Sequence, residues 1–455
     1  MKKINYIALL ILFFSGLHSQ AQEKKWTLRE CVEYAHKNNI TIQQTELDAQ
    51  LAAIDKKDAF GNFLPSLNAN ASHNWNIGLN FNPITNLAET QTFQNTGVGL
   101  NMGVDIYKGL QNQNRLSRSR LAIIASQYQL TKIKDDVSLN VANAFLQILF
   151  NKENLKVQKE QLLNNEKQKQ RTQELVNAGS VPRGDLFDMN ATVATSQQAV
   201  VTAENTLLIS KLSLAQLLQL EDFQNFDVAD DSYEVTESQT MLQTPNSIFE
   251  KAKEQRVELK IARTNLEIAE KDIKIARGAF QPTLQGYYSF SARATDGDRV
   301  VTDGLGNLTL RGPAPIFDQF SESKGHSFGF QLSIPILNGF SVRNNVERSK
   351  VALERSKINF KQQELDLERN VFTAFTDAKG ALNAYESAVV ALEARTEAYN
   401  YAKERFAVGL MNAFDLNQSQ TLFATAQSDV LRTKYDYIFR VKVVEFYFGI
   451  PIMEQ

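Results

Sequence analysis

A chain of 455 residues with a formal charge of −2 carries only 21 Gly and 9 Pro, about 7% together where average usage is nearer 12%, so it has few turns and reads as a few very long elements rather than the three or so domains its length suggests. Lys2 and Lys3 are the only charges before Glu23, and a chain without them carries about −4, a balance that attracts neither nucleic acid nor anionic lipid. The single cysteine, Cys31, excludes an internal disulfide framework and any Cys-based zinc or iron–sulfur site, and the histidines beyond the leader, His36, His73 and His326, share no i, i+4 spacing, so no metal and no cofactor is expected.

The first residues read as a signal peptide, residues 1–21: a positive pair, an apolar run Tyr6 to Phe14, and a small-x-small site at Ser19-Gln20-Ala21. A membrane anchor is the alternative, but the apolar run falls short of the ~20 residues a spanning helix needs. No later stretch of 18 apolar residues occurs, which excludes a helical membrane protein and leaves open a closed β-barrel.

After a helix opening near Ala35 to Ile40, two strands of strict alternation are expected. Leu67, Ala69, Ala71, His73, Trp75, Ile77, Leu79 and Phe81 share one face and Asn, Ser and Gly the other. Val98, Leu100, Met102, Val104 and Ile106 repeat the pattern, with Pro83 to Asn95 as the connection. Strands of about ten residues with one apolar and one polar, uncharged face match a transmembrane barrel around water, while a soluble half-buried sheet alternates in the same way.

From Leu110 to Val176 there is no Gly or Pro, so a single helix could run about 100 Å at 1.5 Å per residue. Its apolar seam, Leu130, Ile133, Val137, Val141, Ala144, Ile148, Leu155, Leu162, has coiled-coil spacing. The chain breaks at Asn177 to Gly184 and returns in a helix from Asp185 to about Leu220. An acidic, aperiodic connector, residues 221–246, follows.

The order then recurs. An offset of 217 pairs Ala35 with Ala252 and Pro65 with Pro282, and an offset of 230 pairs Gly109 with Gly339, Gly179 with Gly409 and Asp185 with Asp415. The chain is thus an internal duplication, residues 22–220 and 247–455, whose second copy holds 13 extra residues within Thr295 to Gly325. Its strands run through Leu284 to Ala292 and Phe328 to Ile336. Its long helix, Phe340 to Val408, repeats the seam as Phe360, Gln363, Leu367, Val371, Ala374, Ala378, Tyr385, Leu392, with Gln363 the exception. Four strands cannot close a barrel from one chain, so several chains would have to contribute.

These residues resemble the TolC-like outer-membrane efflux proteins over essentially the whole mature chain. The resemblance rests on Leu64-Pro65-Ser66-Leu67 and Gln281-Pro282-Thr283-Leu284 at strand starts, on Pro335-Ile336-Leu337-Asn338-Gly339 at a strand-to-helix junction, and on the turns Gly179 to Leu186 and Gly409 to Leu416. It implies a mixed α and β membrane protein: a homotrimer in the outer membrane whose protomers each give four strands to a 12-stranded β-barrel and long coiled-coil helices to an α-helical periplasmic barrel. The implied function is the outer-membrane channel of a tripartite efflux or type I secretion system, passively conducting what an inner-membrane pump and a periplasmic adaptor deliver. No enzyme is expected.

The resemblance also assigns residues. The hairpin tips, Gly179, Val181, Pro182, Arg183 and Asp185 in the first copy and Gly409, Met411 and Asp415 in the second, fall where the family meets its adaptor. Asp415 falls on the acidic ring of the periplasmic gate, the second ring falls on Gln418, and the latching basic residue falls on Met411, so both of the latter depart from the pattern. Asp415 could equally be a helix N-terminal carboxylate favoured by the dipole. Asp296-Gly297-Asp298 and Asp303-Gly304-Leu305-Gly306 hint at calcium or phosphate binding but lack further ligands and flanking elements, so turn chemistry explains them better. A periplasmic coiled-coil scaffold or adaptor without a pore is the alternative class, which fractionation would separate.

Overall fold

A computed structural model describes residues 25–82, 87–221, 225–230, 235, 238–302 and 304–451; the signal peptide expected over 1–21 lies outside the described residues. In chain order the elements are β1 (Lys25–Trp26), α1 (Leu28–Asn38), α2 (Ile40–Gly61), β2 (Ser66–Asn82), β3 (Leu87–Lys108), α3 (Gln111–Asn177), α4 (Arg183–Leu218) and β4 (Asp227–Val228). There follow a 3₁₀ turn at Gln239–Leu242, then α5 (Pro245–Gln255), α6 (Val257–Gly278), β5 (Thr283–Thr295), β6 (Arg299–Thr302), β7 (Leu308–Arg311), α7 (Ile316–Ser323), β8 (Gly325–Ser333), α8 (Ser341–Ala407) and α9 (Ala413–Phe448).

The duplication is written into the helix lengths. α1 and α5 have 11 residues each and α2 and α6 have 22, both pairs at offset 217. α3 and α8 have 67 and α4 and α9 have 36, both pairs at offset 230. Local chemistry starts the short helices: Thr27 and Glu30 form a capping box on α1, and Thr244 caps α5 with Pro245 in its first turn. The strand-to-helix junctions also match, since Gly109-Leu110 and Gly339-Phe340 are all left-handed, with φ between 56° and 63°. Gly109 is further required by space: a Cβ there would collide with the Gly278 carbonyl oxygen.

The chain folds as two compact units. The first, residues 128–260 and 361–455 with the N-terminal segment up to 47, is helical. One apolar cluster joins Val137, Val141, Phe145 and Ile148 of α3 to Leu214 and Leu218 of α4 and to Val32 and Ile42; another joins Leu367, Val371 and Ala378 of α8 to Ile248 and Phe249 of α5. The expected seam positions are buried or half-buried in both long helices, and Gln363, the one polar member, is exposed. The connector read as aperiodic over 221–246 carries β4, which pairs in parallel with β1, and α5 begins at Pro245, inside that range. Lys152 ties this pairing down: its ammonium bonds Asp227 at 3.0 Å, Asp230 at 2.7 Å and the Val228 carbonyl at 2.8 Å, while Lys211 bonds Asp227 at 2.8 Å.

The second unit, residues 48–127 and 261–360, holds a four-stranded antiparallel sheet in the order β2-β3-β5-β8. Two corrections to the sequence reading arise here. The connection expected over Pro83 to Asn95 is mostly strand: β3 starts at Leu87, and only 83–86, outside the described residues, separates it from β2. β8 ends at Ser333 instead of reaching Ile336, because Pro335 has no N–H for a ladder. The Gly- and Asp-rich insertion is built, with a β6–β7 hairpin and the helix α7. Asp296 acts within that turn, its carboxylate accepting from the Gln94 N–H at 2.7 Å, whereas Asp303 lies outside the described residues. No helix among the described residues is long and apolar enough to cross a membrane.

Candidate functional site

Register sorts the sheet into two faces, because residues directly opposite in an antiparallel pair share one. Leu67, Met102, Tyr288 and Phe328 form one row, and Ala69, Leu100, Phe290 and His326 the next. Apart from Ala292 and Ala294, which are buried, this apolar face is largely uncovered, with Ile77 81% and Phe328 79% exposed. Most of these side chains are therefore not packed against other described residues of the same chain. The opposite rows are Asn68, Asn101, Ser289, Ser327 and Asn70, Gly99, Ser291, Gly325. Their groups bond one another across strands: the Asn101 amide donates to Asn70 Oδ1 at 3.0 Å, and the Ser289 hydroxyl donates to Asn101 Oδ1 at 2.9 Å. On the apolar face, His73 bonds the Thr96 hydroxyl at 2.8 Å and packs edge-on against Trp75, and Tyr288 bonds His326 at 2.9 Å, so these imidazoles are engaged within the sheet.

The two hairpin tips are copies of one device. Helix α3 ends with the Ser180 N–H on the Leu175 carbonyl and the Gly179 N–H on the Val176 carbonyl; α8 ends with Leu410 on Arg405 and Gly409 on Phe406. Both are Schellman endings, and both glycines are left-handed, φ 71° and 78°. Gly179, Pro182, Arg183 and Gly409 are exposed, and Val181, Asp185 and Met411 half-buried. The copies differ at the next cap: Pro182 precedes α4 with no side-chain bond, whereas the Asn412 side chain accepts from the Asp415 N–H at 2.8 Å. Asp415 therefore sits in the first turn of α9 and is not its cap. It is exposed, as is Gln418 one turn on along the same face. Met411 offers no cation, and the nearby Arg405 guanidinium donates to the Leu410 carbonyl of its own turn at 3.2 Å.

Sequence reading missed a polar seam above the tips. Where the apolar seam of α3 stops at Leu162, the same face continues with Asn165, Gln168 and Thr172; Asn165 and Thr172 are buried, and facing helices contribute Ser196, Asn417 and the buried Gln420. Asn165 donates to Ser196, and Asn417 to Thr192 and to the Met189 sulfur, each of the latter at 3.3 Å. Yet Asn165 Oδ1, Gln168 Nε2, Thr172 Oγ1, Asn417 Oδ1 and Gln420 Nε2 have no protein partner. Such groups take ordered water where it can reach them and otherwise cost about 1–3 kcal/mol each. The signal available in the sequence was the change of seam chemistry at constant 3–4 spacing.

Comparison with known proteins converges on one group. The chain is 22% identical over 321 residues to the outer membrane protein TolC of Vibrio cholerae, covering 70% of this chain and 68% of that one. It is 23% identical over 345 residues to the pyoverdine export outer membrane protein OpmQ of Pseudomonas aeruginosa, covering 73% and 65%. Its fold matches the CmeC outer membrane channel of Campylobacter jejuni with a TM-score of 0.76 at 19% identity, over 93% of this chain and 85% of that one. The sequence profile described as outer membrane efflux protein matches residues 32–219 and 248–441, nearly all of both duplicated halves, and the chain belongs to that family.

Proposed function

We propose that three copies of this chain form an outer-membrane efflux channel, with the four-stranded sheets closing one barrel and the long helical hairpins descending into the periplasm. The observation that carries this is the sheet itself, apolar and uncovered on one face and lined with bonded Asn, Ser and Gly on the other. Among the described residues its edge strands β2 and β8 have no second partner, and an open edge of that kind is closed by another strand. Three sheets of four strands make a barrel of twelve, wide enough to enclose water. Conduction is passive: solutes move along a polar wall, and no bond is made or broken. An inner-membrane pump and a periplasmic adaptor supply the cargo and the energy, the adaptor docking at the tips around Gly179 to Asp185 and Gly409 to Asp415. The inner hairpin, α8 and α9, carries Asp415 and Gln418 on one exposed face and forms the gate. Opening requires this hairpin to part from α3 and α4, and the incompletely satisfied polar seam lowers the cost of that movement. The test is fractionation followed by unheated detergent gels and planar bilayers. Recovery in the outer membrane as a trimer with discrete conductance is expected; a soluble periplasmic monomer would sink the reading.

A further inference from the structure

The insertion carried only by the second copy ends in α7, and α7 behaves as a replacement strand. β8 pairs with β5 only as far as Gly325 opposite Ser291, which leaves Ala292 to Thr295 of β5 beyond its end. Two α7 side chains one turn apart take over that edge. The Arg293 N–H donates to the Ser323 hydroxyl at 2.9 Å, which donates back to the Arg293 carbonyl at 2.6 Å. The Thr295 N–H donates to Gln319 Oε1 at 2.9 Å, and Gln319 Nε2 donates back to the Thr295 carbonyl at 2.9 Å. These are the paired bonds that a neighbouring strand would make.

The far side of this helix is exposed among the described residues. With Gln319 and Ser323 turned to β5, Phe317 lies on the far side, about 160° round from Gln319 and about 120° from Ser323 at 100° per residue, and it is 80% exposed. Ser321, one turn on, is exposed beside it. Phe320, half-buried, lies on one flank between, and the exposed acidic Asp318 and Glu322 lie on the other. In a closed barrel β8 meets the β2 of the next protomer. β8 has nine residues and β2 seventeen, so at least eight residues of that β2 edge have no strand opposite them. α7, joined to β8 through Lys324 alone, is the next element outward on the same edge.

We propose that α7 seals the outer end of the seam between protomers, its Phe317 and Ser321 face docking on the upper half of the β2 strand of a second copy of this chain, against the exposed Trp75, Ile77 and Leu79. The proposal rests on the trimeric barrel above. Its test is a two-tag experiment: one tagged chain carries Phe317→Cys, a second chain with a different tag carries Trp75→Cys, Ile77→Cys or Leu79→Cys, and the co-expressed trimer is treated with copper phenanthroline or a short bis-maleimide. The native Cys31 is buried and stays in place. A crosslinked band bearing both tags is expected for at least one of the three positions, and it should fall several-fold when Gln319→Ala and Ser323→Ala release α7 from β5. An intact trimer with no two-tag product at any position would overturn the proposal and leave the channel reading standing. Quenching of Phe317→Trp fluorescence by brominated lipid in that trimer would then identify lipid as the partner. A monomer would overturn both.

Discussion

At the scale of single residues, position within a turn decides what a side chain can do. Asp415 is not the cap of α9, since the Asn412 side chain accepts its N–H; its exposed carboxylate lies in the first turn, where the helix dipole favours it. Three such carboxylates about a trimer axis would repel one another and bind cations. Asp415→Ala is expected to reduce cation preference and multivalent-cation block in planar bilayers, and Gln418→Asp to strengthen the block by adding a carboxylate on the same face. If Asp415→Ala changes neither quantity, the gate is elsewhere. Cys31 shows the opposite placement. It is fully buried beside Glu30, and burial first, then that carboxylate, push its thiol up to about 12. Maleimide at pH 8 should therefore leave the folded protein unlabelled and modify Cys31 only after denaturation. A raised thiol pKa means the folded state disfavours the thiolate, so its contribution to stability holds below about pH 9 and is lost as pH rises toward 12. A Cys31→Ser variant should lose that alkaline component of the pH dependence.

At the scale of elements, the two ends of the helical unit are held by different physics. Near β1 and β4, burial raises the Asp227 carboxyl, but the ion pairs with Lys211 and Lys152 outweigh it and hold it below the usual carboxylate range. Asp230, bonded first by Lys152 and then by Lys25, is lowered as well. A depressed carboxyl stabilises above its ordinary range and ceases to do so as pH falls through the folded value. The β1–β4 pairing should therefore hold at neutral pH and exchange amide hydrogens faster below about pH 4. Lys152→Met should loosen it by about 1–3 kcal/mol even at neutral pH, mainly because the partly buried Asp227 carboxylate loses a cation that it shares with the exposed Asp230. Toward the tips, the polar seam predicts the reverse response to an apolar substitution. Gln420→Leu removes an unpaired buried amide, so hydrogen exchange in the first three turns of α9 should slow several-fold, and a gate that opens by parting these helices should open less often. An unchanged exchange rate would show that the seam does not set the firmness of the tip.

At the scale of the whole molecule, the proposed outer-membrane channel makes a prediction about topology. A cysteine at Leu305, exposed in the β6–β7 turn, should react with a membrane-impermeant maleimide on intact cells, and one at Ser180 should react only after the outer membrane is breached; the reverse pattern would invert the topology. Much of this molecule was legible as sequence. A run free of Gly and Pro up to Gly179, and one interrupted by Gly380 alone up to Gly409, defined the long helices, because one helix needs only few interruptions and a repeating seam. Alternation defined the strands and their two faces, since the pleat has period two. What alternation cannot state is what lies against a face: Leu67 to Leu79 reads the same on a soluble sheet and on a barrel, and only the folded chain shows that these side chains are left exposed within it. The same limit hid the partnership of Arg293 and Thr295 with Ser323 and Gln319, and the meeting of Asn165 with Ser196. The sequence by itself determined the repeat, the elements and the chemistry of each face, which depend on local periodicity. The tertiary structure alone decided the strand order, the edges left open, the helix that stands in for a strand and the polar seam, because each depends on groups far apart in the chain arriving at bonding distance.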